Sequence, residues 1–183
     1  MKTSHSAVGQ FCHYKTYPFG MVMIQWGLKP TIRIKKIELI PAMKRKTPKD
    51  SGIPPPAISA VFNAIQSEKL NKLSISLLDW SSLNPFTKKV FFTLSKIVPY
   101  GKVISYKGLA EKAGNRKAAR AVGNVLAKNP FPLIIPCHRV ICSSGLIGGF
   151  QGKKNSALLK KTLLASEGIL FNKKGRVEKA CLL

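Results

Sequence analysis

The 183-residue chain carries 31 lysines and arginines against 7 acidic residues, a net charge of +24, and 45% of it is hydrophobic. That hydrophobic content fills a core and excludes a disordered chain, while the charge selects polyanions as partners. The longest apolar runs, MVMI and PLIIP, fall far short of the roughly 20 residues of a membrane span, so no membrane role is expected.

The opening MKTSHSAVGQFCHYK lacks the apolar stretch of a secretory leader, which predicts a protein of the cytoplasm, or of the nucleus in a eukaryote, with reduced thiols. Cys12, Cys137, Cys142 and Cys181 form no CxxC pair, and His5, Cys12 and His13 read as an incidental trio, so no metal is expected. Residues 18–40 read as a hairpin, FGMVMIQW and TIRIKKIELI around the turn GLKP. The basic, proline-rich stretch 41–57 is a loop. Ile58, Val61, Phe62 and Ile65 then recur like one face of a helix. Residues 1–84 thus form a small structural α/β domain.

A boundary falls at SSLNP, where Asn84 caps a helix opening with Pro85 and burying Phe86, Val90, Phe91, Leu94, Ile97 and Val98. Ser105 caps a second helix, YKGLAEKAG, for which Gly114 supplies the C-terminal cap. A third begins one residue later in RKAARAVGNVLAKN, and two short helices across a Gly-Asn turn outline a helix-turn-helix. Arg116, Arg120, Asn124 and Lys128 share one face of the third helix, and Ala118, Val122, Val125 and Leu126 share the other. Ala119 and Gly123 beside the polar stripe are small enough to let a nucleic-acid backbone approach. A basic helix face is ordinarily just solvated. Here the turn, the small residues and the 19 Lys plus Arg against three acids (Glu111, Glu167, Glu178) in residues 85–183 favour nucleic acid.

The run IPCHRVI, residues 135–141, reads as a buried strand that carries a thiol, an imidazole and a guanidinium. A free cysteine is more often inert core than nucleophile. His138 and Arg139 argue the other way, because a base and a cation near a thiol favour the thiolate. Adjacent residues on a strand face opposite ways, so His138 reaches Cys137 only around a turn or through a water. Glu167, at the end of the helix SALLKKTLLASEG, is the carboxylate in this half best placed to orient the imidazole.

These residues together, with PCHRV preceded by ISY, AARAVG and NP, resemble the 6-O-alkylguanine-DNA alkyltransferase family over residues 85–170. The resemblance implies a reduced ribonuclease H-like α/β N-terminal domain and a mainly α, winged-helix-like C-terminal domain. It implies direct repair of double-stranded DNA by a monomer without cofactor, the alkyl group on guanine O6 passing irreversibly to Cys137 in a single turnover. By the same resemblance Cys137, His138, a water and Glu167 form a relay, Asn129 braces the adjoining turn, and Tyr106 rotates the nucleotide out and donates to the leaving base. Arg120 fills the vacated stack, with Ala119, Gly123, Arg116, Asn124 and Lys128 on the DNA-facing helix. The carbonyls of Cys137 and Val140 and the main-chain amide of Gln151 meet the base, and Phe150 and Gly152 also border the pocket, whose rim reads Gly149-Phe150-Gln151 where the family has Gly-Tyr-Ser, with about three extra residues around KKN after it. A lesion sensor without transfer activity is the alternative, but such proteins replace the nucleophile. A general basic DNA- or ribosome-binding protein leaves Cys137, His138 and Glu167 unexplained. A cofactor-dependent methyltransferase needs a glycine-rich βα turn, which does not occur.

Overall fold

Three antiparallel strands open the computed structural model, which describes residues 11–28, 30–40, 52–67, 74–152 and 156–183. The chain divides into two units, Met1–Asp79 and Trp80–Leu183.

In the first unit, β1 (Phe11–Tyr17), β2 (Gly20–Gly27) and β3 (Arg33–Ile40) pair in chain order, with a bulge at Gln25/Trp26. The hairpin expected over 18–40 is therefore the second half of a meander, and β1 was not anticipated. Its FCHYKTY buries only Tyr17, so it lacks the period-two alternation that marks a strand. Helix α1 (Pro56–Gln66) buries Ile58, Val61, Phe62 and Ile65, the face predicted from their spacing. The Tyr17 hydroxyl donates to the Phe62 carbonyl at 2.9 Å, and the His13 ring meets the Phe62 ring edge-on. Among the described residues no group of histidine, cysteine and carboxylate is placed to hold a metal ion. His5 and residues 41–51 of the basic loop lie outside the described residues; residues 52–55 lead directly into α1, and Pro56 and Ala57, expected in the loop, open that helix, whose first turn tolerates proline.

The second unit begins at Trp80, ahead of the boundary expected at Asn84, because the Trp80 ring stacks on Phe92 at 4.7 Å and also meets Phe91 and Phe131. In α2 (Pro85–Ile97) Pro85 takes the first position, where its missing N–H costs nothing, and the Asn84 side chain accepts from the Thr87 amide at 2.8 Å. Val90, Phe91 and Leu94 turn to the core, with Val98 just beyond the helix; Phe86 and Ile97 are only half-buried. Strand β4 (Ile104–Ser105) runs straight into α3 (Tyr106–Lys112), whose Ser105 cap accepts from the Gly108 amide. Gly114, at φ +89°, ends α3 in the left-handed conformation that glycine adopts without strain. The third helix starts later than its sequence suggests. Asn115 accepts from the Lys117 amide and winds Arg116–Ala118 into a 3₁₀ turn, so that α4 spans Ala119–Ala127.

The strand expected over 135–141 is replaced by a loop, a 3₁₀ turn at Cys137–Arg139 and a two-residue strand, β5 (Val140–Ile141), parallel to β4. Pro136, at φ −78° and ψ 60°, lets the Cys137 amide bond the Ile135 carbonyl at 2.7 Å, the geometry of an inverse γ-turn. Helix α5 (Ala157–Ser166) follows. The C-terminal residues then return to the core: Val103 donates to the Cys181 carbonyl and Leu183 to that of Val103, closing a cluster with Ile141, Leu164, Ile169 and Val177. No helix among the described residues is long and apolar enough to cross a membrane.

Asn84→Ala should lower stability by about 1 kcal/mol, read as an earlier midpoint in chemical denaturation, whereas Asn84→Gly should cost only a few tenths.

Candidate active site

Pairing of β4 with β5 fixes the site's geometry. Tyr106 leaves the end of one strand and Cys137 lies just before the other, so the Ile104–Val140 and Ser105–Ile141 pairs bring a phenol and a thiol to one place. Both border a cavity of about 150 Å³, lined also by Gly123, Leu126, Ala127, Gly149, Phe150, Gln151 and Gly152.

Asn129 holds the loop that delivers the thiol. Its Oδ1 accepts from the Phe131 amide at 2.9 Å, and its Nδ2 donates to the Ile135 carbonyl at 3.0 Å and to the Cys137 Sγ at 3.1 Å. Leu133 within this loop sits at φ +74°, a conformation costing a leucine of order 1 kcal/mol, which the bonds on either side offset. The Cys137 thiol is 3% exposed, and burial pushes its pKa up, while the Asn129 donor and the Lys160 charge pull it down. It rests protonated.

His138 turns Nε2 toward Glu167, 2.7 Å from Oε1. Arg139 grips the same carboxylate through Nε (2.8 Å) and Nη2 (2.9 Å), and spends Nη1 on the Val98 carbonyl. Burial alone would raise the Glu167 pKa, but the bonds and charges of His138 and Arg139 bring it down to about 2. The carboxylate is therefore ionised and accepts only. Burial lowers the His138 pKa, so the ring is neutral and its single N–H lies on Nε2. Nδ1 keeps its lone pair. It is also the buried side-chain nitrogen or oxygen left without a hydrogen-bond partner among the described residues.

Tyr106 has its phenol pKa raised to about 12, first by burial and then by the charges Cys142 and Cys137 acquire as thiolates. Its ring edge is 4.0 Å from where a Cβ on Gly123 would stand. Gly123, expected to admit a nucleic-acid backbone, has space for a Cβ beside Tyr106 and lines the cavity. Arg120, Asn124 and Lys128 are exposed on one side of α4, with Ala119 half-buried among them. Arg116 is exposed too, but lies in the preceding 3₁₀ turn with Nε 3.7 Å from Glu111. Phe150, Gln151 and Gly152 border the cavity, with Gln151 in the left-handed region at φ +51°. The Val140 side chain is buried in the core, while its carbonyl, the atom expected at the pocket, accepts from Lys160 Nζ at 2.6 Å. Of the extra rim residues, 153–155 lie outside the described residues.

One residue had been missed. Lys160 of α5 is fully buried and donates to the carbonyls of Val140 (2.6 Å), Ile147 (2.5 Å) and Gly149 (3.1 Å), its ammonium 5.7 Å from the Tyr106 ring centroid. Burial brings its pKa down to about 8. It ties β5 to the rim of the cavity. The available signal was its place in the apolar stripe with Leu163, Leu164 and Glu167, at the spacing of one helix face. Arg139, read as an activating cation for the thiol, serves Glu167 instead.

Fold and site define a class: a basic helical unit with a buried, amide-held cysteine bordering a cavity. Residues 85–169 match the family model "6-O-methylguanine DNA methyltransferase, DNA binding domain". The human methylated-DNA–protein-cysteine methyltransferase is 51% identical over 90 residues, covering 49% of this chain and 42% of that protein, so the chain spans less than half the length of that relative. The protein of that name from Methanothermobacter thermautotrophicus is 33% identical over 156 residues, 84% of this chain and 82% of that one. The structure of Mycobacterium tuberculosis OGT in complex with DNA superposes with a TM-score of 0.61 at 26% identity, over 86% of this chain and 92% of that one. The chain belongs to the methylated-DNA–protein-cysteine methyltransferase family.

The depressed Glu167 pKa has a signed consequence. The carboxylate's stabilisation is complete above its unfolded value of about 4.3 and is lost as pH falls through about 2, a difference of about 3 kcal/mol. Denaturation measured from pH 6 to pH 2 should show this slope, and Glu167→Gln should lack it while being less stable at pH 6 by about 3 kcal/mol because Arg139 loses its counter-charge.

Proposed function

We propose that the protein repairs alkylated DNA directly, taking the alkyl group from guanine O6 onto its own Cys137. The observation that carries this reading is the Cys137 thiol at the floor of the cavity, held by Asn129 beneath Tyr106 and backed by an imidazole whose Nδ1 is free to accept a proton.

His138 Nδ1 takes the thiol proton through a bridging water, and Glu167 and Arg139 stabilise the resulting imidazolium. The Cys137 sulfur attacks the alkyl carbon, an S–C bond forms, and the C–O6 bond breaks with its electron pair remaining on guanine. Tyr106, with a pKa near 12, serves as a hydrogen-bond donor to the leaving base, since full transfer of so weakly acidic a proton is uphill. The proton held on His138 ends on guanine, so thiol plus alkylguanine becomes thioether plus guanine. No group regenerates the thiol, and each molecule reacts once.

The thiol is 3% exposed, too deep to reach a base inside a duplex, so the damaged nucleotide is flipped into the cavity. Helices α3 and α4 act as a helix-turn-helix in a winged-helix-like domain, α4 entering the minor groove and Arg120 filling the gap in the stack. The DNA complex of the M. tuberculosis relative supports DNA as partner. The N-terminal unit is a reduced ribonuclease H-like scaffold, and the protein works as a monomer in the cytoplasm, or in the nucleus of a eukaryote.

Mixing the protein with a duplex carrying 6-O-methylguanine should add one CH₂ per molecule, located on Cys137 by peptide mapping. Tight binding without an adduct would point instead to a lesion sensor. Arg120→Ala should slow transfer from duplex DNA by tenfold or more, yet leave reaction with free 6-O-benzylguanine unchanged, because the side chain acts on the base stack alone; equal losses would sink the assignment.

A further inference from the structure

Beyond α5 the chain forms a feature that this reading does not use. Phe171 and Val177 pair across a tight turn in which Asn172 Oδ1 accepts from the amides of Lys174 and Arg176 at 3.0 and 3.1 Å. The Asn172 amide donates to the Arg176 carbonyl and the Gly175 amide to that of Asn172, with Gly175 at φ +69°. Lys173 and Lys174 therefore stand at the tip of a turn whose backbone is fixed. The hairpin is also fastened to its neighbour. Arg176 Nη1 donates to the Ser144 carbonyl at 2.7 Å, and the Val177 amide to that of Gly145 at 2.9 Å.

That neighbouring loop continues to Gly148, where a Cβ would stand 3.6 Å from the Tyr106 ring, and a Cβ on Gly123 of α4 would stand 4.0 Å from the same ring. The loop that holds the hairpin and helix α4 thus lie beside one phenol ring. Lys173, Lys174, Arg176 and Lys179 are exposed, accompanied only by Glu178, and among the described residues none has a carboxylate within 4.0 Å. A merely solvated lysine patch requires no fixed backbone. A rigid turn lowers the entropy lost when its side chains are immobilised on a partner. Ammonium groups on a turn with no aromatic ring or cleft between them suit phosphate oxygens and carry no base recognition.

We infer that the Phe171–Val177 hairpin is a second phosphate-binding element, engaging the backbone of the same duplex that α4 enters. The inference rests on the reading of DNA as partner. The test uses the whole chain, a duplex binding titration between 50 and 200 mM salt, and the variant Lys173→Gln with Lys174→Gln. Two lost phosphate contacts should flatten the slope of log affinity against log salt by about 1.8. Affinity should fall several-fold, with the rate of Cys137 alkylation at saturating duplex unchanged. Lys89→Gln with Lys96→Gln, an equal charge loss on α2, should alter the slope by less than half as much. An unchanged slope in the hairpin variant, or an equal change in the α2 variant, would overturn the inference. If wild type alkylates Cys137 under those conditions, such a result removes the hairpin alone; if wild type shows no salt-dependent duplex binding, the DNA reading fails with it.

Discussion

One carboxylate organises the second unit. Glu167 lies at the C-terminal end of α5, where a negative charge opposes the helix dipole, yet it is ionised because Arg139 and His138 both bond it. Three consequences follow from that single group. It fixes which imidazole nitrogen carries the proton, it satisfies a buried guanidinium, and it joins α5 to the turn bearing Cys137. The remaining Arg139 donor reaches Val98 at the end of α2, so the charge also anchors the helix that opens the unit. A buried pair of this kind adds little net stability when intact and costs much when one partner is missing. Its value here lies in specifying one arrangement of the imidazole.

Around that centre the polar groups divide the work by reach. Asn129 handles the loop before the thiol through three bonds, and Lys160 handles the wall after it through three more. Neither residue needs to touch substrate for the cavity to depend on it. The thiol, by contrast, is buried deeply enough that the Asn129 donor and the Lys160 charge do not outweigh desolvation. Burial keeps it protonated, and the base that would take its proton holds a lone pair without a hydrogen-bond partner among the described residues. Reactivity is thereby reserved for the moment when a molecule fills the gap between them.

Much of this was legible in the residues themselves. The Asn84-Pro85 and Ser105 starts, the Gly114 stop and the buried face of α1 all rest on local chemistry that no distant contact overrides. The failures share a cause. Apolar IPCHRVI looks like a strand, but Pro136 and the reach of Asn129 across eight positions bend it into a turn, and only a folded neighbour reveals that reach. Strand β1 is nearly all half-buried or exposed and so lacks periodicity. Arg116 falls outside α4 because Asn115 competes for the first amides with its side chain. Lys160 was passed over as one more cation in a chain of +24, although it alone sits at a core position of its helix.

The Lys160 clamp carries an implication for how this family member can change over time. Its three acceptors are main-chain carbonyls, so the hydrogen-bonding pattern of that wall is written in backbone positions and in one ammonium group. The side chains of Val140 and Ile147 are spectators to it. Substitutions at those two positions alter local packing while the clamp's hydrogen bonds stay constant, and a change at Lys160 does the reverse. Drift in packing and loss of the clamp are therefore independent routes, and only the first leaves intermediate sequences in which the three carbonyls keep their donor.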